Sequence, residues 1–480
     1  MNGRPVLDDD DLRRLALSCL LLGFVGPVPP RWLLDALAEG LGGVVLFGSN
    51  LPDGAAPARL TAALRSAAAR DIVVAIDEEG GDVTRLDAWH GSAAPGAAAL
   101  GYLDDPAATE AVYRGIGARC AAAGVTLNLA PVADVNVDPG NPVIGVRAFS
   151  ADGQVAARHV SAAVRGIQAA GVAACLKHFP GHGATHTDSH HEVATVDRSR
   201  AQLEAAELMP FRAGVAAGAR AVMTGHLLVP ALDPTAVATV SPAITTDLLR
   251  MDLGFGGTVV TDALEMRAIS ATIGMVDGFV QALQGGADTV ETGALDYPAL
   301  VAEIPAAVSR ALAEGRLAVA RLADAARRTA ALATPASVLS TPNVEFDAAG
   351  CVEVVGRLPV LRAPLVIECR PPAGMAAGWL PWSIAAPLAQ LIPGTDVKET
   401  TAGCELDPAR DVVLVVRDPQ RVAWQQPMIA AAREHPRAVV VDCGWPSEIA
   451  DVPLIRTRGI APGLLRAAAH TLAAGGADSP

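Results

Sequence analysis

Five of the ten histidines in this chain lie within one short stretch, between residues 178 and 191. Pro180, Gly181 and Gly183 interrupt this stretch, so a loop is predicted rather than a helix. A histidine-rich loop that also carries Asp188 has three interpretations: a metal site, a histidine activated by a carboxylate for proton transfer, or a hydrogen-bonded loop without chemistry. The metal site is the weakest of the three, because neither an H-E-x-x-H motif nor a Cys/His ladder is present. We therefore predict no metal ion.

Further polar residues stand directly after short apolar runs. Asp77, Lys177, His178, His226 and Asp262 all lie at or just after the end of such a run. If the runs are parallel strands, these side chains meet at one edge, where α/β barrels carry their active sites. Lys177 is one of only two lysines, against 35 arginines. Because arginine is the usual cation in this chain, a compact ammonium group at this position indicates a specific role.

Eight apolar runs alternate with Ala-rich amphipathic segments along the first two thirds of the chain. Strands that are apolar on both faces are typical of a parallel sheet covered by helices. Eight such units favour a (β/α)8 barrel of the TIM type. The alternative, a doubly wound sheet, would need a Gly-rich turn after its first strand, and that turn is missing. The runs are Cys19–Phe24, Val44–Phe47, Ile72–Ile76, Val125–Leu129, Ala173–Leu176, Ala221–Thr224, Thr258–Thr261 and Asp288–Glu291.

A second, smaller unit follows the predicted barrel. The segment Thr334–Asn343 has the composition of a linker. We predict a barrel over residues 1–335, a linker over 336–345 and a small α/β domain over 346–480. This second domain carries no recognisable chemical motif. Its predicted strands and helices are Pro364–Cys369, Asp411–Val416, Gln420–Arg433, Arg437–Cys443 and Pro462–Ala474.

Composition narrows the range of partners. The 37 basic and 51 acidic residues give a formal net charge of −14, which argues against nucleic acid or an anionic membrane surface as a partner. The mean hydropathy of +0.34 supports a large core and excludes global disorder. Seven scattered cysteines without a C-x-x-C pair, and an acidic start before the first apolar run, predict a cytoplasmic protein with free thiols.

The histidine loop resembles the signature loop of glycoside hydrolase family 3. The stretch Lys177–Gly183, followed by Asp188-Ser-His190, is similar to the β-N-acetylglucosaminidase branch of that family. Four further blocks resemble the family and occur in its order, and together they are far more specific than any one of them. These blocks are Ile76–Gly81 with Arg85, Ala130–Asp134, Val143–Arg147 and Val259–Met266.

The resemblance implies a retaining double displacement without a cofactor. In this branch Asp262 would be the nucleophile, and His190, paired with Asp188, would be the acid/base. A free imidazole has a pKa of about 6.5, so it can both give and take a proton near neutral pH. The implied activity is that of an exo-β-N-acetylglucosaminidase (β-N-acetylhexosaminidase) acting on muropeptide or chitin fragments. The implied partner is a small carbohydrate, with no nucleic acid and no membrane.

The resemblance also implies a set of residues that bind the sugar. Two neighbours of Arg147 depart from the family pattern: Val146 replaces a polar residue and Ala148 replaces a serine, which weakens the expected support of Arg147. His226 is equally compatible with the floor of the sugar pocket and with a packed, hydrogen-bonded position. The implied sugar-binding residues are Asp77, Arg85, Arg147, Lys177, His178 and His226.

Two other functions remain open on the sequence. A histidine acid becomes neutral after it protonates the leaving group, so phosphate could replace water as the attacking group and yield a sugar 1-phosphate. A barrel that binds carbohydrate without turnover is the other alternative. Since the Asp-x-His loop is intact, the second domain need not supply chemistry, and a structural or interaction role is expected for it. Trp379 in that domain could stack on a sugar, although core packing is the commoner role of a single tryptophan.

Overall fold

The computed structural model describes residues 8–54, 56–187, 192–334 and 346–475. All eight predicted runs form strands, and together they make one parallel sheet, so the predicted barrel is confirmed. The strands are short and buried along their whole length. They are β1 (Leu20–Leu22), β2 (Gly43–Leu46), β3 (Val73–Ile76), β4 (Leu127–Asn128), β5 (Ala173–Phe179), β6 (Ala221–Thr224), β7 (Thr258–Thr261) and β8 (Val290–Glu291).

The sheet closes on itself. Strand β1 pairs in parallel with both β2 and β8, and a parallel bridge between Val260 and Thr289 joins β7 to the segment that enters β8. Aliphatic side chains such as Leu21, Val73 and Val260 fill the interior, as expected for a packed barrel rather than a pore. The carboxyl ends of the strands therefore form one ring.

Helices cover the outside of the barrel. One of the Ala-rich segments, residues 200–217, forms two helices rather than one, because Pro210 has no N–H to donate to the carbonyl of Ala206. A π-helix over Ala243–Asp252 adds to the layer. The α-helices are α1 (Asp9–Ser18), α2 (Arg31–Glu39), α3 (Pro57–Ala67), α4 (Ala97–Leu103), α5 (Pro106–Ala122), α6 (Gly153–Ala169), α7 (Arg200–Ala205), α8 (Leu208–Ala216), α9 (Arg267–Ser270), α10 (Met275–Gly285), α11 (Leu300–Ala313) and α12 (Val319–Ala333).

The second domain is built on a six-stranded sheet, and it belongs to the α/β class that the sequence predicted. The three predicted apolar runs form its centre, and three further strands were missed because they lie at or near its edges. The strands are β9 (Glu353–Val355), β10 (Leu365–Cys369), β11 (Asp396–Thr400), β12 (Val412–Val416), β13 (Ala438–Asp442) and β14 (Leu454–Arg456), in the order β9-β14-β13-β12-β10-β11 with only β9 antiparallel. The helices are α13 (Ala385–Leu391), α14 (Gln426–Glu434) and α15 (Pro462–Ala473).

The two units contact each other through a buried ion pair. Arg417, just after β12, places Nη2 2.6 Å from Oδ2 of Asp82 in the barrel. The other carboxylate oxygen of Asp82 accepts a hydrogen bond of 2.9 Å from the backbone N–H of Ile460. The carboxyl end of the second sheet thus faces the carboxyl end of the barrel. The predicted linker, residues 336–345, lies outside the described residues.

None of the helices in the described ranges is long and apolar enough to cross a membrane.

Candidate active site

A cavity of about 500 Å³ opens at the carboxyl ends of the barrel strands. Most of the residues predicted to do chemistry line it, although they come from four different strand ends or the loops that follow them. Its charged and histidine side chains are Asp77, Glu79, Arg85, Arg147, Lys177, His178, His182, Asp262, Glu265 and Glu291.

Lys177 is the hub of an ion-pair network in this cavity. Its ammonium Nζ lies 2.6 Å from Oδ1 of Asp77 and 2.7 Å from Oε1 of Glu79. Arg147 grips the same Glu79 with two hydrogen bonds, from Nε (3.0 Å) and from Nη2 (2.8 Å). Lys177 is only 2% exposed. The support that Val146 and Ala148 do not offer to Arg147 therefore comes from Glu79, a residue to which the sequence assigned no role.

The network keeps Glu79, Arg147 and Lys177 charged. Burial alone would raise the pKa of Glu79, but Arg147 and Lys177 outweigh it and hold that pKa far below its usual range. Burial alone would lower the pKa of Lys177, but Asp77 and Glu79 outweigh it and raise that pKa. A fixed ammonium and a fixed guanidinium thus face the cavity, where they can donate hydrogen bonds to hydroxyl or carbonyl oxygens.

Asp134 anchors the first half of the histidine loop. Its Oδ2 lies 2.7 Å from Nδ1 of His178, and its Oδ1 accepts a 2.7 Å hydrogen bond from the backbone N–H of His182. Burial and the neighbouring His178 lower the pKa of His182 to about 4, so His182 is neutral at pH 7. His178 and His182 both line the cavity.

Asp262 follows β7 and faces the same cavity as Lys177. Its backbone N–H donates to the carbonyl of Thr224 (3.0 Å), and its Oδ1 accepts from the N–H of Ala263 (2.8 Å). His226 lies beneath this turn, where its ring nitrogens are 2.7 Å from Oγ1 of Thr239 and 2.9 Å from the carbonyl oxygen of Ala263. His226 is fully buried, so it occupies the packed, hydrogen-bonded position that the sequence left open.

Glu291 is a cavity residue that sequence reasoning missed. It ends β8, and its backbone N–H and carbonyl contact Thr261 and Leu264, on either side of Asp262. Burial, followed by the charges of Asp77 and Asp262, raises the pKa of Glu291 well above its usual value. Its position after a strand was the signal that selected Asp77, so the same rule could have found it.

Arg85 connects the barrel site to the second domain. One of its guanidinium nitrogens, Nη2, lies 3.7 Å from Oδ2 of Asp77 and donates a 2.8 Å hydrogen bond to the carbonyl of Ala376. The segment 375–380 of the second domain, which includes Trp379, lines the same cavity.

The predicted acid/base pair, Asp188 and His190, lies outside the described residues. The chain on both sides of it is held near the cavity: His182 lines the cavity, and Ala194–Thr195 pairs in parallel with Leu227–Leu228, just after β6. Across the described part of the chain, no three His, Cys, Asp or Glu side chains form a group that could hold a metal ion.

Comparisons with known proteins identify relatives of this chain. The family model described as "Glycosyl hydrolase family 3 N terminal domain" matches residues 34–332. A β-hexosaminidase of Xylella fastidiosa (strain M23) is 38% identical over 296 residues, which cover 60% of this chain and 87% of that protein. Beta-hexosaminidase A of Pseudoalteromonas piscicida is 38% identical over 269 residues, which cover 52% of this chain but only 45% of that protein. The chain therefore spans less than half of this longer relative.

One solved structure resembles the chain over both domains. A family 3 β-N-acetylglucosaminidase from Paenibacillus sp. str. FPU-7 superimposes with a TM-score of 0.85 at 31% sequence identity, covering 96% of each chain. The barrel and the second domain thus occur together, in the same arrangement, in a solved structure of the family.

Proposed function

The chain belongs to glycosyl hydrolase family 3, and on that premise we propose that it is a retaining exo-β-N-acetylglucosaminidase. It removes terminal β-linked N-acetylglucosamine from short glycosides, with muropeptide fragments as the first natural source and chitin fragments as the second. The observation that carries the proposal is that Asp262 shares one cavity with the Lys177–Asp77–Glu79–Arg147 network. A carboxylate nucleophile and a fixed set of donors for a sugar ring are thereby combined.

In the proposed first step, Asp262 attacks the anomeric carbon and forms a glycosyl ester, while the bond to the leaving oxygen breaks. The imidazolium of His190, stabilised by Asp188, gives its proton to that oxygen. In the second step the neutral imidazole takes a proton from water, whose oxygen attacks the anomeric carbon and frees Asp262. Asp77, Lys177 and Arg147 hold the ring, and Arg85 and His178 complete its surroundings.

Hydrolysis is favoured over phosphorolysis. The relatives above are hexosaminidases or an N-acetylglucosaminidase. The cavity also presents more carboxylates than permanent cations, which disfavours entry of an anionic attacking group. The carboxylates are those of Asp77, Glu79, Asp262 and Glu265, and the cations are Arg85, Arg147 and Lys177.

The test is turnover of an aryl β-N-acetylglucosaminide by the full chain, with and without inorganic phosphate. We expect free N-acetylglucosamine in both cases, and Asp262→Asn to lose nearly all turnover, with Asp71→Asn, an exposed aspartate on the barrel surface, as the matched control. His190→Ala should slow this substrate less than a glycoside with a poor leaving group, because a phenolate needs little protonation. A phosphate-dependent sugar 1-phosphate would replace hydrolysis by phosphorolysis, and sugar binding without turnover would indicate a binding protein.

A further inference from the structure

A loop of the second domain forms part of the wall of the sugar cavity. It runs between β10 and α13, and its residues 375–380 line the cavity that also holds Asp77, Lys177 and Asp262. Its base is pinned by the buried carboxylate of Glu368, which accepts hydrogen bonds from Oγ of Ser383 (2.7 Å) and from the N–H of Ile384 (2.9 Å). These hydrogen bonds hold the end of the loop in place where it enters α13.

The loop carries two large apolar side chains that are exposed at the cavity. Trp379 is 71% exposed and Met375 is 62% exposed. In the part of the chain that the structure describes, no ring or cation stacks on Trp379, whereas the guanidinium of Arg370 lies 3.8 Å over the ring of the nearby Trp382. Exposure of an indole at the mouth of a polar cavity is typical of a ligand contact rather than of core packing.

Arg85 contacts groups at both the exposed and the buried end of the cavity. Arg85 donates to the carbonyl of Ala376 in the loop while its guanidinium approaches Asp77 in the barrel. On the barrel side of the mouth, Trp89 is half-exposed and held by a 2.9 Å hydrogen bond from Nε1 to the carbonyl of Leu51. A ligand that starts at Lys177 and leaves the cavity must therefore pass between barrel and loop.

The second domain is not needed for the activity named for the relatives. The match to the β-hexosaminidase of Xylella fastidiosa spans 87% of that protein but only 60% of this chain. A match of this length needs no more of this chain than the barrel. The second domain therefore has a role other than this activity. Its loop lies at the mouth of the cavity, where the leaving group of a bound substrate must lie.

We propose that Trp379, with Met375, forms the binding site for the leaving group, and that its ligand is a second pyranose ring β-linked to the terminal N-acetylglucosamine. This inference rests on the proposed function. A pyranose presents an apolar C–H face that covers an indole, and hydroxyls that reach the polar groups beside it, such as the guanidinium of Arg85. The chain is then selective for disaccharides and longer chains over glycosides with a small leaving group.

The experiment compares two substrates of the full chain, N,N′-diacetylchitobiose and methyl β-N-acetylglucosaminide. In Trp379→Ala, the ratio of kcat/KM for the disaccharide to kcat/KM for the methyl glycoside should fall about three- to tenfold, the usual size of an aromatic contact. Trp379→Phe should restore most of that ratio. Val360→Ala, at an exposed residue of the same domain outside the cavity lining, is the matched control and should leave the ratio unchanged.

Binding gives a second measurement that does not depend on turnover. Chitobiose added to Asp262→Asn should change the tryptophan fluorescence, and Trp379→Phe in the same background should abolish most of that change. An unaltered ratio in Trp379→Ala, or an equal loss for both substrates, would overturn the leaving-group site. If the wild type cleaves neither substrate, the proposed function itself is wrong, so the two failures are distinguishable.

Discussion

Lys177, at the end of β5, and Asp77, after β3, are joined by an ion pair of 2.6 Å between Nζ and Oδ1. The strand β4 separates the two strands in the sheet order, so the contact spans the rim of the barrel. Because the same ammonium also reaches Glu79, one buried cation contacts two carboxylates of the loop that follows β3. The charged side chains of the cavity are therefore organised around a single lysine.

Lys177→Met should destabilise the barrel by about 3–5 kcal/mol, because it leaves two carboxylates at a buried site with one cation fewer. Lys177→Arg should keep the charge but lose activity, since a planar guanidinium does not fit where an ammonium contacts two carboxylates. The only other lysine, the exposed Lys398 in the second domain, offers a matched control. Lys398→Met should change the free energy of unfolding by no more than about 0.5 kcal/mol. Chemical denaturation measures the free energy of unfolding of Lys177→Met and Lys398→Met, and equal losses in these two variants would contradict the role of Lys177.

Replacing Glu291 or Glu79 by glutamine should change the melting temperature at pH 7 in opposite directions. In the folded state Glu291 keeps its proton at pH values above 4.5, the ordinary carboxyl pKa, whereas in the unfolded state it loses that proton. The folded state therefore binds more protons, and the free energy of unfolding falls as the pH rises above 4.5. Glu291→Gln removes this loss, and the melting temperature of the variant should exceed that of the wild type at pH 7 but not at pH 4.

Glu79 is the matched control for that measurement. Its pKa is depressed in the folded state, so its stabilisation is fully present above the ordinary carboxyl pKa and is lost as pH falls below it. Glu79→Gln should therefore lower the melting temperature at pH 7, with a difference that shrinks on acidification. A Glu291→Gln variant that is less stable than the wild type at pH 7 would show that Glu291 is ionised in the folded protein.

The ion pair between Asp82 and Arg417 should couple the two domains. Asp82 raises the pKa of Arg417 in spite of burial, so the guanidinium remains charged at the contact. Arg417→Met leaves Asp82 buried without its cation and should cost about 3–5 kcal/mol, while adding Asp82→Asn should recover part of the loss. Arg410→Met, which breaks the exposed pair with Asp396 inside the second domain, should cost less than about 1 kcal/mol. Calorimetry of Arg417→Met, Asp82→Asn, the double variant and Arg410→Met measures these losses, and strictly additive losses at Asp82 and Arg417 would argue against the coupling.

The sequence by itself determined the barrel and most of its chemical side chains. Eight apolar runs predicted eight strands, and the rule that active residues follow barrel strands selected Asp77, Lys177, His178, His226 and Asp262. The strand prediction is confirmed, and all of these residues except His226 line one cavity, because periodicity and strand ends are local properties of the chain. Glu79 and Glu291 were within reach of the same rule, but their roles depend on which charges surround them.

Only the tertiary structure decided which groups share the cavity. Arg85 and Ala376 are 291 positions apart in the chain, and Lys177 and Asp77 are 100 apart. No local pattern specifies such pairs, because they follow from the contact between the two domains and from closure of the barrel. For the same reason Trp379, for which the sequence favoured core packing over stacking on a sugar, is exposed at the mouth of the cavity: whether a side chain is buried depends on what the rest of the fold places against it.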